Sequence, residues 1–341
     1  MKKLKVSDWI LIILSVVLLI GCIIEYPRKS LFLYYFIPFV FSVFFLIEKN
    51  IYKGKKVILK LVGVFLVTIS VIYSSFVFFT LSIPIQGGRD PGSENYLLNM
   101  DCFEQVSIPS MNGKIDGWLY KQTNEKAPLI LFFNGAGECS AETVRKFYEE
   151  GILSEYFPNY NFLCTDYPSY GFSDGYVSEA SMKEFAINTY DAAIEWDIVD
   201  NSDITVMGYS IGTGPASYLA AHRDLTSLIM LAPYDEFWDQ FVRNVKMDEK
   251  RRYVKKVTSK IQWLFYRLLW SYSVDPYDYA KSVEEPVLII SSLEDITIPH
   301  DASMRVAFRL RDCEVVTLSG IKHENLLCNT SYKAMHKFMY Q

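Results

Sequence analysis

The stretch GYSIG sets Ser210 between Gly208 and Gly212, at the end of the apolar run ITVM and directly ahead of a segment with helical spacing over 211–222. Glycine and serine are common in ordinary turns, but such a turn does not call for two glycines flanking one serine so closely. A nucleophile elbow does, because its strand and helix backbones must approach tightly around an exposed Oγ. A hydroxyl attacks only when a base removes its proton and a third group orients that base.

The chain has four histidines. His222 falls one helix length beyond Ser210, at a helix end, and His336 falls in the terminal helix. His300, just after Pro299, is within possible reach of the site. His323, in SGIKHENLL, follows the last apolar strand and precedes the final helix, so its ring projects over a sheet edge. The orienting acid is expected from another strand end. Asp295, in SSLEDITIP after PVLII, is the leading candidate, with adjacent Glu294 and Asp235, after SLIMLAPY, as alternatives. The order Ser, Asp, His is the one associated with G-x-S-x-G elbows. Negative charge developing on a substrate oxygen needs fixed donors, each worth about 3–4 kcal/mol of barrier. The Ile211 N–H, next to the nucleophile, is one. Asn134–Glu138 (NGAGE) offers the second, assigned to Ala136; a plain glycine turn is the alternative.

These residues need a frame. FEQVSIP and KIDGWLY flank Asn112-Gly113, which reads as a hairpin turn because both residues tolerate positive φ. Apolar runs come next at PLILFFN, NFLCTD, ITVMGY, SLIMLAP, PVLIIS and CEVVTLS, with helical periodicity between most of them, as at 141–150 and 179–196. A hairpin followed by β-α-β units with continuous apolar strands predicts an α/β fold, a mostly parallel sheet covered on both faces. Catalytic loops in such sheets gather at the carboxyl ends of the strands.

Together the motifs resemble the α/β-hydrolase superfamily over about 103–340. GYSIG is similar to the family elbow, NGAGE to its histidine-glycine oxyanion loop, and DYPSYGFSDG (166–175) to a D-Y-x-G-Y-G-x-S-x-G segment; LEDITIP and GIKH match the acid and histidine loops. Within the superfamily the chain looks like membrane-anchored members grouped with serine aminopeptidase-like hydrolases and depalmitoylases. That resemblance implies cleavage of ester, thioester or amide bonds without a cofactor. Asn134 stands where the family usually has histidine, and Pro168-Ser169 replace its arginine-glycine; both departures bear on substrate detail.

Half of the 341 residues are hydrophobic, and the excess lies at the N-terminus. The runs 9–24, 31–47 and 61–83 approach or exceed the roughly 17–20 residues a helix needs to cross a bilayer. They read as a three-helix membrane anchor over 1–85. Lys2, Lys3 and Lys5 precede the first run, and Lys49, Lys53, Lys55, Lys56 and Lys60 separate the second from the third. The positive-inside bias then places the chain beyond the third run outside the cytoplasm. A rival reading takes Leu19–Cys22 as a lipoprotein signal with Cys22 lipidated.

QGGRDPGS opens a linker over 86–102, and the hydrolase domain occupies 103–341. Its insertion at 235–285 reads as a helical cap, carrying Phe237, Trp238, Trp263 and Trp270 beside a basic run from Lys246 to Lys256. Six cysteines without a C-x-x-C pair or clustered histidines argue against a metal site. They read as buried thiols, a Cys313–Cys328 disulfide being the alternative. The net charge of −5 disfavours a general nucleic-acid binder.

The expected protein is a membrane serine hydrolase that cleaves a lipid-like or acylated ester or thioester by two-step acyl transfer. A peptidase or amidase is the enzymic alternative. A catalytically silent membrane scaffold is the other.

Overall fold

The computed structural model describes residues 88–341, apart from 176, 238, 239 and 241–273, together with the isolated positions Ile13 and Val16. The chain divides into two units, Met1–Pro84 and Ile85–Gln341; all the strands and helices named here belong to the second. Apart from Ile13 and Val16, the three expected membrane spans and Cys22 lie outside the described residues. Among the described residues no helix is long and apolar enough to cross a membrane.

The stretch read as a linker contains a helix, α1 (Pro91–Leu98). Composition alone misses it because glycine and proline dominate the count. The start signals are nonetheless present: Asp90 caps the helix by accepting from the Gly92 N–H at 3.0 Å, and Pro91 sits where a missing N–H costs nothing. Leu97 and Glu94 are buried, so the segment is docked.

Eight strands form one sheet: β1 (Phe103–Ser110), β2 (Gly113–Tyr120), β3 (Ala127–Phe133), β4 (Asn161–Thr165), β5 (Val199–Tyr209), β6 (Ser227–Leu231), β7 (Val287–Ser292) and β8 (Cys313–Leu318). Their spatial order is β1-β2-β4-β3-β5-β6-β7-β8. β1 and β2 form a hairpin and β2 runs antiparallel to β4. All other neighbours are parallel. Strands β4, β6 and β7 are buried at every position, as continuous apolar runs between two helical layers require.

The hairpin turn differs from expectation. Ser110 pairs with Gly113, so the turn residues are Met111 and Asn112, and only Gly113 takes positive φ (+121°). A side chain there would run into Asp174, whose carboxylate accepts from the Lys114 N–H at 3.0 Å. Crossovers are supplied by α2 (Ser140–Glu149) with the short α3 (Ile152–Tyr156), α4 (Glu179–Ala193), α5 (Thr213–Ala220), the short α6 (Pro276–Tyr279) and α7 (His300–Ala307); α8 (Asn329–Met339) closes the chain. The helix expected over 211–222 is in fact a 3-10 turn, Ser210–Gly212, followed by α5.

Most of the expected cap, including Trp238, Trp263, Trp270 and the run from Lys246 to Lys256, lies outside the described residues. Its two ends are tied together. The Phe237 N–H donates to Asp275 at 2.7 Å, and the Tyr234 hydroxyl donates to the Val274 carbonyl at 2.6 Å. Cys313 and Cys328 are both free thiols, so the disulfide alternative is withdrawn.

Registers align the strand ends. Phe133 pairs with Gly208, Tyr209 with Leu231, and Ser292 with Leu318. The loops after β3, β5, β7 and β8 therefore leave from one edge of the sheet, and they carry Ala136, Ser210, Asp295 and His323 respectively.

Candidate active site

Ser210 follows β5 directly, with φ of +55°, a left-handed conformation that costs a non-glycine residue of order 1–3 kcal/mol and persists only where its surroundings enforce it. They do so here. A Cβ on Gly208 would lie 2.6 Å from the Gly212 carbonyl oxygen and 2.9 Å from Ala216 Cβ. A Cβ on Gly212 would collide with the Phe133 carbonyl oxygen and lie 2.7 Å from that of Asn134. The elbow thus packs simultaneously against its own helix and against the end of β3. The Thr213 hydroxyl donates to the Ser210 carbonyl at 2.7 Å, securing the turn from below.

His323 begins a 3-10 turn, His323–Asn325, after β8. Its Nε2 lies 2.9 Å from Ser210 Oγ and its Nδ1 lies 2.6 Å from Asp295 Oδ2. A carboxylate only accepts, so the proton on this side of the ring belongs on Nδ1, leaving the Nε2 lone pair for the serine hydroxyl. The Asp295 side chain is fully buried. Its Oδ1 accepts from the Thr297 and Ile298 N–H groups at 2.9 and 2.8 Å, which orients Oδ2 towards the imidazole.

The alternatives sit elsewhere. Glu294 accepts from the Gly320 N–H at 2.7 Å, and Asp235 accepts from Arg305 Nε at 2.7 Å. His300 Nδ1 lies 2.8 Å from the Ser291 hydroxyl. The His222 and His336 Nδ1–H groups donate at 2.7 Å to the Tyr218 and Tyr156 carbonyls.

In the loop after β3 most polar groups are engaged. The Gly135 N–H donates to Glu138 Oε2 at 3.3 Å and the Gly137 N–H to the Tyr170 hydroxyl at 3.3 Å. The Asn134 carbonyl accepts from Tyr167 at 2.6 Å, and its Oδ1 accepts from Thr143 at 2.9 Å. Asn134 itself is buried, with Nδ2 making no hydrogen bond. Ala136 lies exposed between the two engaged glycines. Ile211, the other candidate donor, is buried in the turn that leads into α5.

Sequence reasoning passed over two residues. Tyr209, the variable residue of the elbow, stacks on the His323 ring, with centroids 5.4 Å apart and planes 26° apart; its hydroxyl donates to the His323 carbonyl at 2.8 Å. Burial, with the Glu138 and Asp295 charges, raises the Tyr209 phenol well above its ordinary range, so it stays a donor. Glu138 is the second. Burial pushes its carboxyl upward, opposed by the Gly135 N–H. The only visible signals were an aromatic between two elbow features and an acid ending a glycine loop.

No protein-family model matches the sequence, and no curated protein matches it. The fold has clear counterparts among solved structures. One is the 2,6-dihydroxy-pseudo-oxynicotine hydrolase, at 15% identity and TM-score 0.57 over 73% of this chain and 70% of that one. Another is an acetyl xylan esterase from Paenibacillus sp. R4, at 19% and 0.56 over 71% and 85%. A third is Est1E from Butyrivibrio proteoclasticus with ferulic acid bound, at 21% and 0.52 over 69% and 98%. These are α/β-hydrolases, and the described part of this chain has the α/β-hydrolase fold.

Proposed function

We propose that the protein is a serine hydrolase that cleaves an ester or thioester through a Ser210–His323–Asp295 relay and an acyl-enzyme. The observation carrying this reading is the unbroken contact from Ser210 Oγ to His323 at 2.9 Å and from His323 to Asp295 at 2.6 Å. His323 takes the Ser210 proton as Oγ attacks the carbonyl carbon. Asp295 keeps the ring in the tautomer that can accept it and stabilises the imidazolium. The tetrahedral oxyanion is held by the Ile211 and Ala136 N–H groups. The imidazolium then protonates the leaving group, and water, activated by the same histidine, releases the acid.

An ester or thioester is favoured over a peptide because comparable folds include an acetyl xylan esterase and a protein with ferulic acid bound. A lipid-like acyl group suits Leu293 and Ile296, which are 59% and 67% exposed on either side of the buried Asp295. In this reading helices at 9–24, 31–47 and 61–83 anchor the chain in a membrane and the hydrolase unit lies outside the cytoplasm.

Labelling of the full chain in membranes with a fluorophosphonate probe tests the reading. An adduct that disappears in Ser210→Ala is expected. A folded wild type that takes up no probe, or labelling unaffected by that substitution, overturns it.

A further inference from the structure

Glu138 has no part in the proton relay, yet its carboxylate is turned back into the loop that begins at the end of β3. Oε2 accepts from the Gly135 N–H three residues earlier, which closes the chain into a small ring around Ala136. The other side of that ring is held by Tyr170 on the Gly137 N–H. Gly135 itself is packed from both directions. A Cβ there would lie 2.9 Å from the Tyr209 ring and 3.3 Å from Glu138 Oε2. The same Tyr209 ring stacks on the imidazole of His323, and the preceding residues of the loop lie against Gly212 of the elbow. The carboxylate therefore sits where the β3 loop, the elbow and the histidine brace converge.

We infer that Glu138 is a positioning residue for the oxyanion site: by accepting the Gly135 N–H it commits that amide and holds the loop so that the Ala136 N–H is the one presented to the reacting oxygen. The inference rests on the serine-hydrolase reading. A free loop could rotate the Gly135–Ala136 peptide and lose the donor, since a glycine neighbour offers little resistance. Such a donor matters chiefly in the transition state, when charge gathers on the oxygen, so its loss falls on turnover rather than on binding. What the loop needs from residue 138 is an acceptor and not a negative charge. A full charge beside a developing oxyanion is unhelpful, and burial pushes the Glu138 carboxyl upward, against the Gly135 N–H.

The test compares wild type, Glu138→Ala, Glu138→Gln and Ser210→Ala as full chains, using an activated ester and a fluorophosphonate probe, with thermal melts as a folding control. Glu138→Ala is expected to lower kcat by about tenfold to a hundredfold with KM within about twofold, a partial loss of one oxyanion donor. Glu138→Gln, which keeps a carbonyl acceptor, is expected to stay within about threefold of wild type. Glu138→Ala at wild-type kcat, a change confined to KM, or Glu138→Gln as slow as the alanine variant would each overturn the inference. If wild type itself shows no Ser210-dependent labelling, the underlying reading fails instead, and the two failures are told apart by the first lane of the gel.

Discussion

Tyr209 holds His323 by two contacts at once, a ring stacked 5.4 Å from the imidazole and a 2.8 Å hydrogen bond to the histidine's own carbonyl. The residue beside Ser210 in the chain thus braces an imidazole on a different loop. Tyr209→Phe removes the hydrogen bond and leaves the stack. A net loss of about 1 kcal/mol, or about fivefold to tenfold in kcat/KM, is expected. Tyr209→Ala also empties the space beside Gly135 and should cost considerably more. Steady-state kinetics with one activated ester would read both, and equal effects would mean that the stack contributes nothing.

Asp295→Asn keeps the volume of the side chain and can still accept from the Thr297 and Ile298 amides. It no longer holds His323 in the tautomer that accepts from Ser210. A fall in kcat of about 10⁴ at neutral pH is expected, the scale seen when this swap is made in a comparable triad. Retention of more than a tenth of the activity would remove Asp295 from the relay.

Gly212→Ala is a test of the elbow's packing. Its Cβ would collide with the Phe133 carbonyl oxygen, which is strand backbone and cannot swing aside. Overpacking of this kind costs typically about 1–3 kcal/mol and, against rigid backbone, more. The variant should melt well below wild type and lose activity with it. An unchanged melting temperature would show that the elbow has room to move away from the end of β3.

Much of this arrangement could be read in advance. β4, β6 and β7 are buried throughout, and their central runs FLC, LIML and VLII carry an apolar signal that needs no tertiary information. The elbow was visible because Gly208 and Gly212 are demanded by backbone contact, which leaves a mark in residue type. His323 stood apart from His222 and His336 by its place after a strand rather than inside a helix. What could not be read depends on partners distant in the chain. Tyr209 is bonded to a residue 114 positions away, and nothing in an isolated tyrosine announces that. Glu138 looked like one more polar loop residue until its carboxylate was found folded over Gly135. At 91–98 the local signals of Asp90 and Pro91 were outweighed by the count of glycines and prolines.

Asp166, in the DYPSYGFSDG segment, is 4% exposed and accepts from the Ser140 N–H at 2.7 Å. Burial raises its carboxyl to about 6 from an ordinary 3.8, with Ser140 opposing and Asp116 and Glu94 adding to the rise. The folded state therefore binds this proton more tightly than the unfolded chain. The associated stability is fully present below pH 3.8 and is lost as pH rises through about 6. Asp166→Asn keeps an acceptor for Ser140 and has nothing to titrate. The stability of the variant relative to wild type should therefore improve by about 2 kcal/mol between pH 4 and pH 7. Urea denaturation at the two pH values measures it, and a pH-independent difference would mean the carboxyl ionises freely in the fold.

The hydroxyl of Ser210 and the imidazole of His323 are separated by 113 residues of chain, and the imidazole and Asp295 by 28. No contiguous fragment that stops short of the last strand can therefore bring the three groups together. Contacts of such long sequence separation are late and slow to form. During refolding, catalytic competence should emerge only after the whole sheet has assembled, lagging behind the recovery of helical signal. Turnover of a chromogenic ester would then serve as a clock for the final docking of the C-terminal strand.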